Sequence, residues 1–302
     1  MTDESIATQK SVVIEEFKQR CLNVPYGDLY HFCNDLAYKV HPYRWPTIGL
    51  SVDDIKNASH EDIKSFFAQH YAVNNLILCV SGHIEFEKAV ALTEKWFGDF
   101  APANIPVRNL PQEPVQTEQR FMSVKREVPQ NVLTMMYHMC GRRDDDYQVC
   151  DMLSDVLSNG MSSRFYRNVL VKSGLFTELD ASVSGTYDPG LFIVRARLAD
   201  GVSFDKAKDA IDAELADFVS NGATAYEIEK CANKYESTRL FDMITYEKKG
   251  VKLCQYELLG DAADINKEVG KYRCITQDRL MNVAKNLLNP DNCSILYYGP
   301  DA

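Results

Sequence analysis

Residues 276–299, "TQDRLMNVAKNLLNPDNCSILYYG", repeat the pattern of residues 59–82, "SHEDIKSFFAQHYAVNNLILCVSG", without a gap at an offset of 217. Ser59 matches Thr276, Glu61 matches Asp278, Ile63 matches Leu280, Asn75 matches Asn292 and Gly82 matches Gly299. Each copy carries a hydroxyl N-cap and an acid in the first turn of an amphipathic helix. A short Asn-containing turn follows, then an apolar run closed by Gly that is expected to be a buried strand. Agreement of caps, apolar positions, turn and glycine at one offset indicates duplication of a helix–turn–strand unit.

The boundary between the copies is visible in composition. Residues 101–119, "APANIPVRNLPQEPVQTEQ", hold four prolines and little periodicity. A first domain is therefore assigned to 1–108, a linker to 109–119 and a second domain to 120–302. Subtracting the offset from 120 gives −97, so equal units would place the start of the first about a hundred residues before Met1. In the second domain "RFMSVKREV" and "NVLTMMYHMC" are expected to be adjacent strands around Pro129–Gln130. "DYQVCDMLSDVL" and "SSRFYRNVLVK" are expected to be helices with Asp or Ser caps, and "TELDASVSGTY" and "GLFIVRARL" a hairpin through Asp188–Pro189–Gly190. Helices fill most of 203–287, and a last strand covers 293–298. This order predicts an α+β fold in two homologous halves, each with helices packed on one face of a mainly antiparallel sheet, the first half N-terminally incomplete. In that half "NLILCVS" is the one clear strand, and it is expected to leave exposed edges and to favour self-association.

Composition narrows the function. The 302 residues carry 43 acidic and 33 basic side chains, a formal charge of −10, which argues against nucleic acid or an anionic membrane as partner. No run approaches the ~18 apolar residues of a membrane span. Nine cysteines stand singly with no CxxC, which excludes a zinc ribbon and fits a reducing, cytoplasmic setting. Because the first domain is expected to begin before Met1, the cysteine pattern leaves an exported form open beside this default. There is no phosphate-binding glycine loop and no nucleophile elbow.

Two acids near the start separate on helical geometry. In "SVVIEEFKQR", residues 11–20, Ile6, Val13, Ile14, Phe17 and Cys21 share one face at 100° per residue. Glu15 projects away from that face and is expected to be solvated. Glu16 lies on its flank, partly covered, with Arg20 one turn on as an i,i+4 partner.

"QKSVVIEEFKQR", "HPYRWPTIG", "EDIKSFFAQHYAVNNLILCVSGHI", "WFGDF", "GMSSRFYRNVL" and "GLF" together, in this order, resemble the pitrilysin/insulysin (inverzincin) family of zinc metallopeptidases. The resemblance spans nearly the whole chain, and homologous α+β halves are a feature of that family. It implies a zinc held by two His of an inverted H-x-x-E-H helix and one Glu of a later V-I-x-E-like stretch, with a water in the fourth position. "VVIEE" places that Glu at Glu16, the third ligand of a site that is incomplete here. None of His31, His41, His60, His70, His83 and His138 begins an H-x-x-E-H, and none has another at i+4. No catalytic residue is assigned in this chain, and zinc is expected to be absent or weakly held in it alone. Many relatives carry an Arg and a Tyr seven apart around a "GLAY"-like segment. Aligned on Gly174–Leu175, these positions are Leu170 and Thr177, which cannot grip a substrate backbone in the same way.

The resemblance implies part of a zinc-dependent peptidase that hydrolyses peptides between two halves, with the peptide added as a strand to the first sheet and with this chain inactive alone. The alternative is a non-catalytic scaffold or partner subunit of a two-chain processing peptidase. Either requires a partner segment or subunit that bears H-x-x-E-H. Plainer expectations attach to the other motifs: "GMSSR" starts a helix capped by Ser162 or Ser163, and "HPYRWPTIG" is a turn packed on the core.

Overall fold

Side-chain oxygens of Thr2, Ser51, Ser59, Ser203, Thr245 and Thr276 each accept an amide N–H three residues on, and a helix begins after each. In the computed structural model, which describes residues 2–302, the helices of the first third are α1 (Asp3–Phe17), α2 (Leu29–Ala37), α3 (Val52–Asn57), α4 (His60–His70) and α5 (Phe86–Phe97). Then come β1 (Arg120–Lys125), β2 (Val132–His138), α6 (Tyr147–Ser158), a π-helical turn at Phe165–Leu170 that runs into α7 (Val171–Ser173), β3 (Phe176–Val183) and β4 (Leu191–Leu198). The chain continues through α8 (Phe204–Asn221), α9 (Ala225–Asp242), α10 (Tyr246–Leu259), α11 (Glu268–Arg273), α12 (Gln277–Leu287) and β5 (Cys293–Gly299).

Packing divides the chain into two units that do not follow chain order. The first comprises the chain up to Arg20, Ile48–Leu110 and Ser237–Glu268. The second comprises Cys21–Thr47, Pro111–Glu236 and Val269–Ala302.

In the first unit α1 is fixed by polar contacts at two points. Lys10 Nζ donates to the Lys56 and Ala58 carbonyls, both at 2.7 Å, and so covers the carboxyl end of α3. Asp3 meets Lys64 at 2.9 Å and His60 at 3.3 Å at the start of α4. Among the described residues this unit has no strand. Residues 76–81 have no ladder partner, and Leu76, Ile77, Leu78 and Val80 are exposed. The apolar pattern there was right for a strand, but a strand exists only where another chain segment takes its N–H and C=O groups. The sheet edge expected to accept a peptide is therefore not present among the described residues.

The second unit is built on a five-stranded, mostly antiparallel sheet of order β1-β5-β2-β4-β3. β3 and β4 form the expected hairpin, with Ala181 opposite Val194. Gly190 lies in its turn, where a side chain would run into Ser184 and Thr186. Contrary to the expectation from the turn at Pro129–Gln130, β1 and β2 are not neighbours. β5 lies between them, parallel to β1 and antiparallel to β2. Alternation along β2 sends Leu133, Met135 and Tyr137 into a large core with α6, α8 and α12. Val132 and Met136 go to a smaller core on the opposite face, closed by Leu29, Cys33, Leu36 and Ala37 of α2. With both faces covered, β2 is buried at nearly every residue.

Two expected caps are absent. The Asp146 carboxylate makes no cap bond to α6 and instead accepts from Arg279 at 3.0 and 3.2 Å. Ser163 is fully buried and caps nothing, while Ser162 Oγ accepts from Lys230 at 3.1 Å. Asp146 and Ser162 are thus each taken by a long side chain from a distant helix rather than by a local cap bond.

Candidate functional site

α1 is amphipathic enough to bury Ile6 and Phe17, with Cys21 buried in the π-helical turn that follows at Lys18–Leu22. That geometry treats the two acids differently. Glu15 is the more exposed and pairs with Lys18 at 2.6 Å. The Glu16 side chain is 41% exposed and pairs with Arg20 at 3.0 Å. The pair straddles the change from α to π winding at Phe17–Lys18, a feature often found where a helix carries function and one that no local residue pattern announced. An exposed i,i+4 pair of this kind is weak.

Glu16 has no companions for a metal. Among the described residues, no three His, Cys, Asp or Glu side chains come together closely enough to hold an ion. A zinc site takes three protein ligands, so the described residues do not by themselves fit zinc. The histidines serve other purposes. His70 packs against Phe66 with ring centroids 4.4 Å apart, and His83 is exposed. His138 Nε2 contacts the Ala37 carbonyl at 2.9 Å at the end of α2, and burial lowers its pKa.

His41 is buried in the "HPYRWPTIG" turn, against Tyr38 and Tyr43, with Asp188 at 3.4 Å from its Nε2. The turn is held by Glu113, whose carboxylate accepts the N–H groups of Lys39, Val40 and His41 at 2.7, 2.9 and 3.0 Å. It packs on the core as expected of it.

The positions that differ from the relatives' Arg and Tyr are structurally ordinary. Leu170 closes the π-helical turn, partly buried against the large core. Thr177 is exposed at a register shift between Phe176 and Glu178, on an edge strand of the sheet. Neither residue type supplies a guanidinium or a phenol there.

"GMSSR" proves to be an anchor. Arg164, nearly buried, donates to both carboxylate oxygens of Glu227 at 2.9 and 3.1 Å and to the Gly222 carbonyl at 2.6 Å. Its guanidinium also covers the Phe218 ring, with 4.9 Å to the centroid. Burial opposes ionisation of Glu227, but Arg164 and the Thr224 N–H and hydroxyl outweigh it and hold the carboxyl down at about 2. The two partners are 63 residues apart, so sequence reading had only an Arg within an apolar run as a signal.

A family model described as the peptidase M16 inactive domain matches residues 57–235. Zinc protease PqqE of Helicobacter pylori is 27% identical over 235 residues, covering 76% of this chain and 52% of that protein. The chain thus spans about half the length of that relative. An uncharacterized zinc protease of Bacillus subtilis, YmxG, is 20% identical over 292 residues, which cover 96% of this chain and 69% of that protein. The crystal structure of a protease from Helicobacter pylori superposes with a TM-score of 0.92 at 23% identity, covering 99% of this chain and 73% of that one. A peptidase M16 inactive domain from Pseudomonas fluorescens gives 0.86 at 18% identity, covering 100% and 71%.

Proposed function

The chain belongs to the peptidase M16 family as an inactive domain, and from that premise we propose that it is the non-catalytic part of a two-part zinc peptidase. It supports a catalytic part that bears H-x-x-E-H, and the two enclose a peptide. One observation carries this reading. The inactive-domain match covers 57–235 in a chain whose six histidines include no pair at the spacing an H-x-x-E-H helix needs. The absence of a guanidinium and a phenol at Leu170 and Thr177 supports it as well.

In the same reading Glu16 is the one carboxylate that this chain lends to a zinc held mainly by its partner. Its position on the flank of α1 and its weak, exposed pairing with Arg20 support that role. Zinc, once bound by the complete ligand set, supplies an activated water for peptide hydrolysis.

Reconstitution tests the proposal. The chain is mixed with a separately prepared H-x-x-E-H-bearing chain, and hydrolysis of a quenched fluorescent peptide is followed. Activity is expected only in the mixture. Glu16→Gln should reduce zinc retained by the mixture and lower kcat/KM at least about 100-fold, with the complex intact on size exclusion. Hydrolysis by this chain alone, or full activity of the Glu16→Gln mixture, would overturn the respective claim.

A further inference from the structure

α10 contains Gly250, and glycine inside a helix costs about 1 kcal/mol relative to alanine. The extended residues 76–81 cross the helix at this position. A Cβ on Gly250 would stand at ordinary contact distance, 3.6 Å, from both Cys79 Sγ and Ser81 Cβ, so the segment lies directly against this face of the helix. Cys254 follows one turn later on the same face. Its thiol lies 3.9 Å from the Ile77 carbonyl, beside the thiol of Cys79. Both cysteines are partly exposed, and both line an open cleft of about 660 Å³ with Leu76, Tyr246, Val251 and Leu258. The other neighbouring pair, Cys140 and Cys150, has one member buried at 2% exposure.

We propose that Cys79 and Cys254 form a reversible dithiol site, oxidised by a low-molecular-weight disulfide to an internal disulfide that clips residues 76–81 onto α10. The thiolate of one cysteine attacks a sulfur of the disulfide RSSR and expels RS⁻, giving a mixed disulfide. The second thiolate attacks the protein sulfur of that bond and expels the second RS⁻. The two protons lost by the cysteines end on the two RS⁻ groups, so two electrons pass from protein to RSSR and two RSH leave. Burial, and after it the neighbouring Cys254 thiol, raise the pKa of Cys79, so the clip closes faster as pH rises through the alkaline range. The clip would act on a segment that no ladder restrains, and whose amides therefore exchange freely.

The test uses the full chain and oxidised glutathione. Non-reducing peptide mapping should recover a peptide pair joined through Cys79 and Cys254, with a loss of two hydrogens from the intact mass. Amide hydrogen exchange over 76–81 should slow by about ten-fold or more and recover with dithiothreitol. Cys254→Ser should leave Cys79 able to form only a glutathione adduct and should leave exchange over 76–81 unchanged by oxidation. Two results would overturn the proposal. One is no Cys79–Cys254 link under conditions that fully modify the exposed Cys274. The other is a link that leaves exchange over 76–81 unaltered.

Discussion

The helix–turn–strand unit occurs twice, and the two copies agree until their last seven residues. α4 and α12 are each 11 residues long and each begins after a hydroxyl cap, Ser59 or Thr276. A three-residue 3-10 turn follows each, Val73–Asn75 or Pro290–Asn292. The Asn75 amide donates to the His70 carbonyl at 2.8 Å, and the Asn292 amide to the Leu287 carbonyl at 3.0 Å, the same bond at the same offset. After that the copies part. β5 lies between β1 and β2 and is buried along its length, whereas residues 76–81 pair with nothing among the described residues and stay exposed. Caps and turns are local agreements within a few residues. A strand is an agreement with residues elsewhere in the chain, so equal sequence gives equal helix and turn but not equal strand.

Four experiments break or sharpen this comparison. The chain has two tryptophans, Trp45 in the second unit and Trp96 in the first, so Trp96→Phe and Trp45→Phe backgrounds report one unit each. The largest effect is expected at matched apolar positions. Ile295→Ala, at 1% exposure, should cost about 3 kcal/mol in denaturant unfolding, while Leu78→Ala, at 56%, should cost less than about 0.5. Equal losses would mean that residues 76–81 are buried in solution.

Next come the turn asparagines. Asn292 also donates to the His138 carbonyl at 3.0 Å, so Asn292→Ala removes two hydrogen bonds and should cost about 2 kcal/mol. Asn75→Ala removes one exposed bond and should cost about 0.5 kcal/mol.

The third test is electrostatic and marks the unit that holds the paired copy. Burial, with Asp151 adding to it, raises Asp155 of α6 from 3.8 to about 6, against the pull of the Asn159 amide and of Lys234 and Lys230. The folded unit keeps a proton that the unfolded chain releases, so stability should fall as pH rises from about 4 to about 6 and stay lower above that. Asp155→Asn should therefore stabilise the Trp45-reported transition by about 1–2 kcal/mol at pH 8 and by nothing at pH 3.5. The Trp96-reported transition should not respond.

The smallest difference is expected at the caps. Ser59→Ala and Thr276→Ala should each cost about 1 kcal/mol, because both helices use the same bond to their third residue. A cap that mattered in only one copy would show that context reaches even the local part of the unit.

The same division explains what was legible in the sequence. The repeat, its caps and turns, the β3–β4 hairpin and the order of solvation of Glu15 and Glu16 all depend on residues within a turn or two of one another. Strand order was not legible, because nothing within β1 or β2 says that residue 293 begins a strand between them. The caps at Asp146 and Ser163 misled for a related reason: the side chain of Asp146 is claimed by Arg279, and Ser163 is buried without reaching a cap position. At the candidate site the periodicity of α1 was readable, but the π winding at Lys18–Leu22 and the Arg164–Glu227 anchor were not.

The place of β5 also sets a schedule. β1 and β2 are separated by only six residues, and nothing in that short connection keeps them from pairing directly. Each must instead leave a strand-wide slot for a segment about 160 residues away. Until that segment arrives, both strands stand with their inner edges open. Direct pairing is the local alternative, and the native order is complete only once the last strand of the chain has joined the sheet. During that interval the slot accepts any strand of suitable pattern, including β5 of another copy. Refolding of the second unit should thus grow slower and less complete as protein concentration rises, a kinetic cost written into the topology rather than into any one contact.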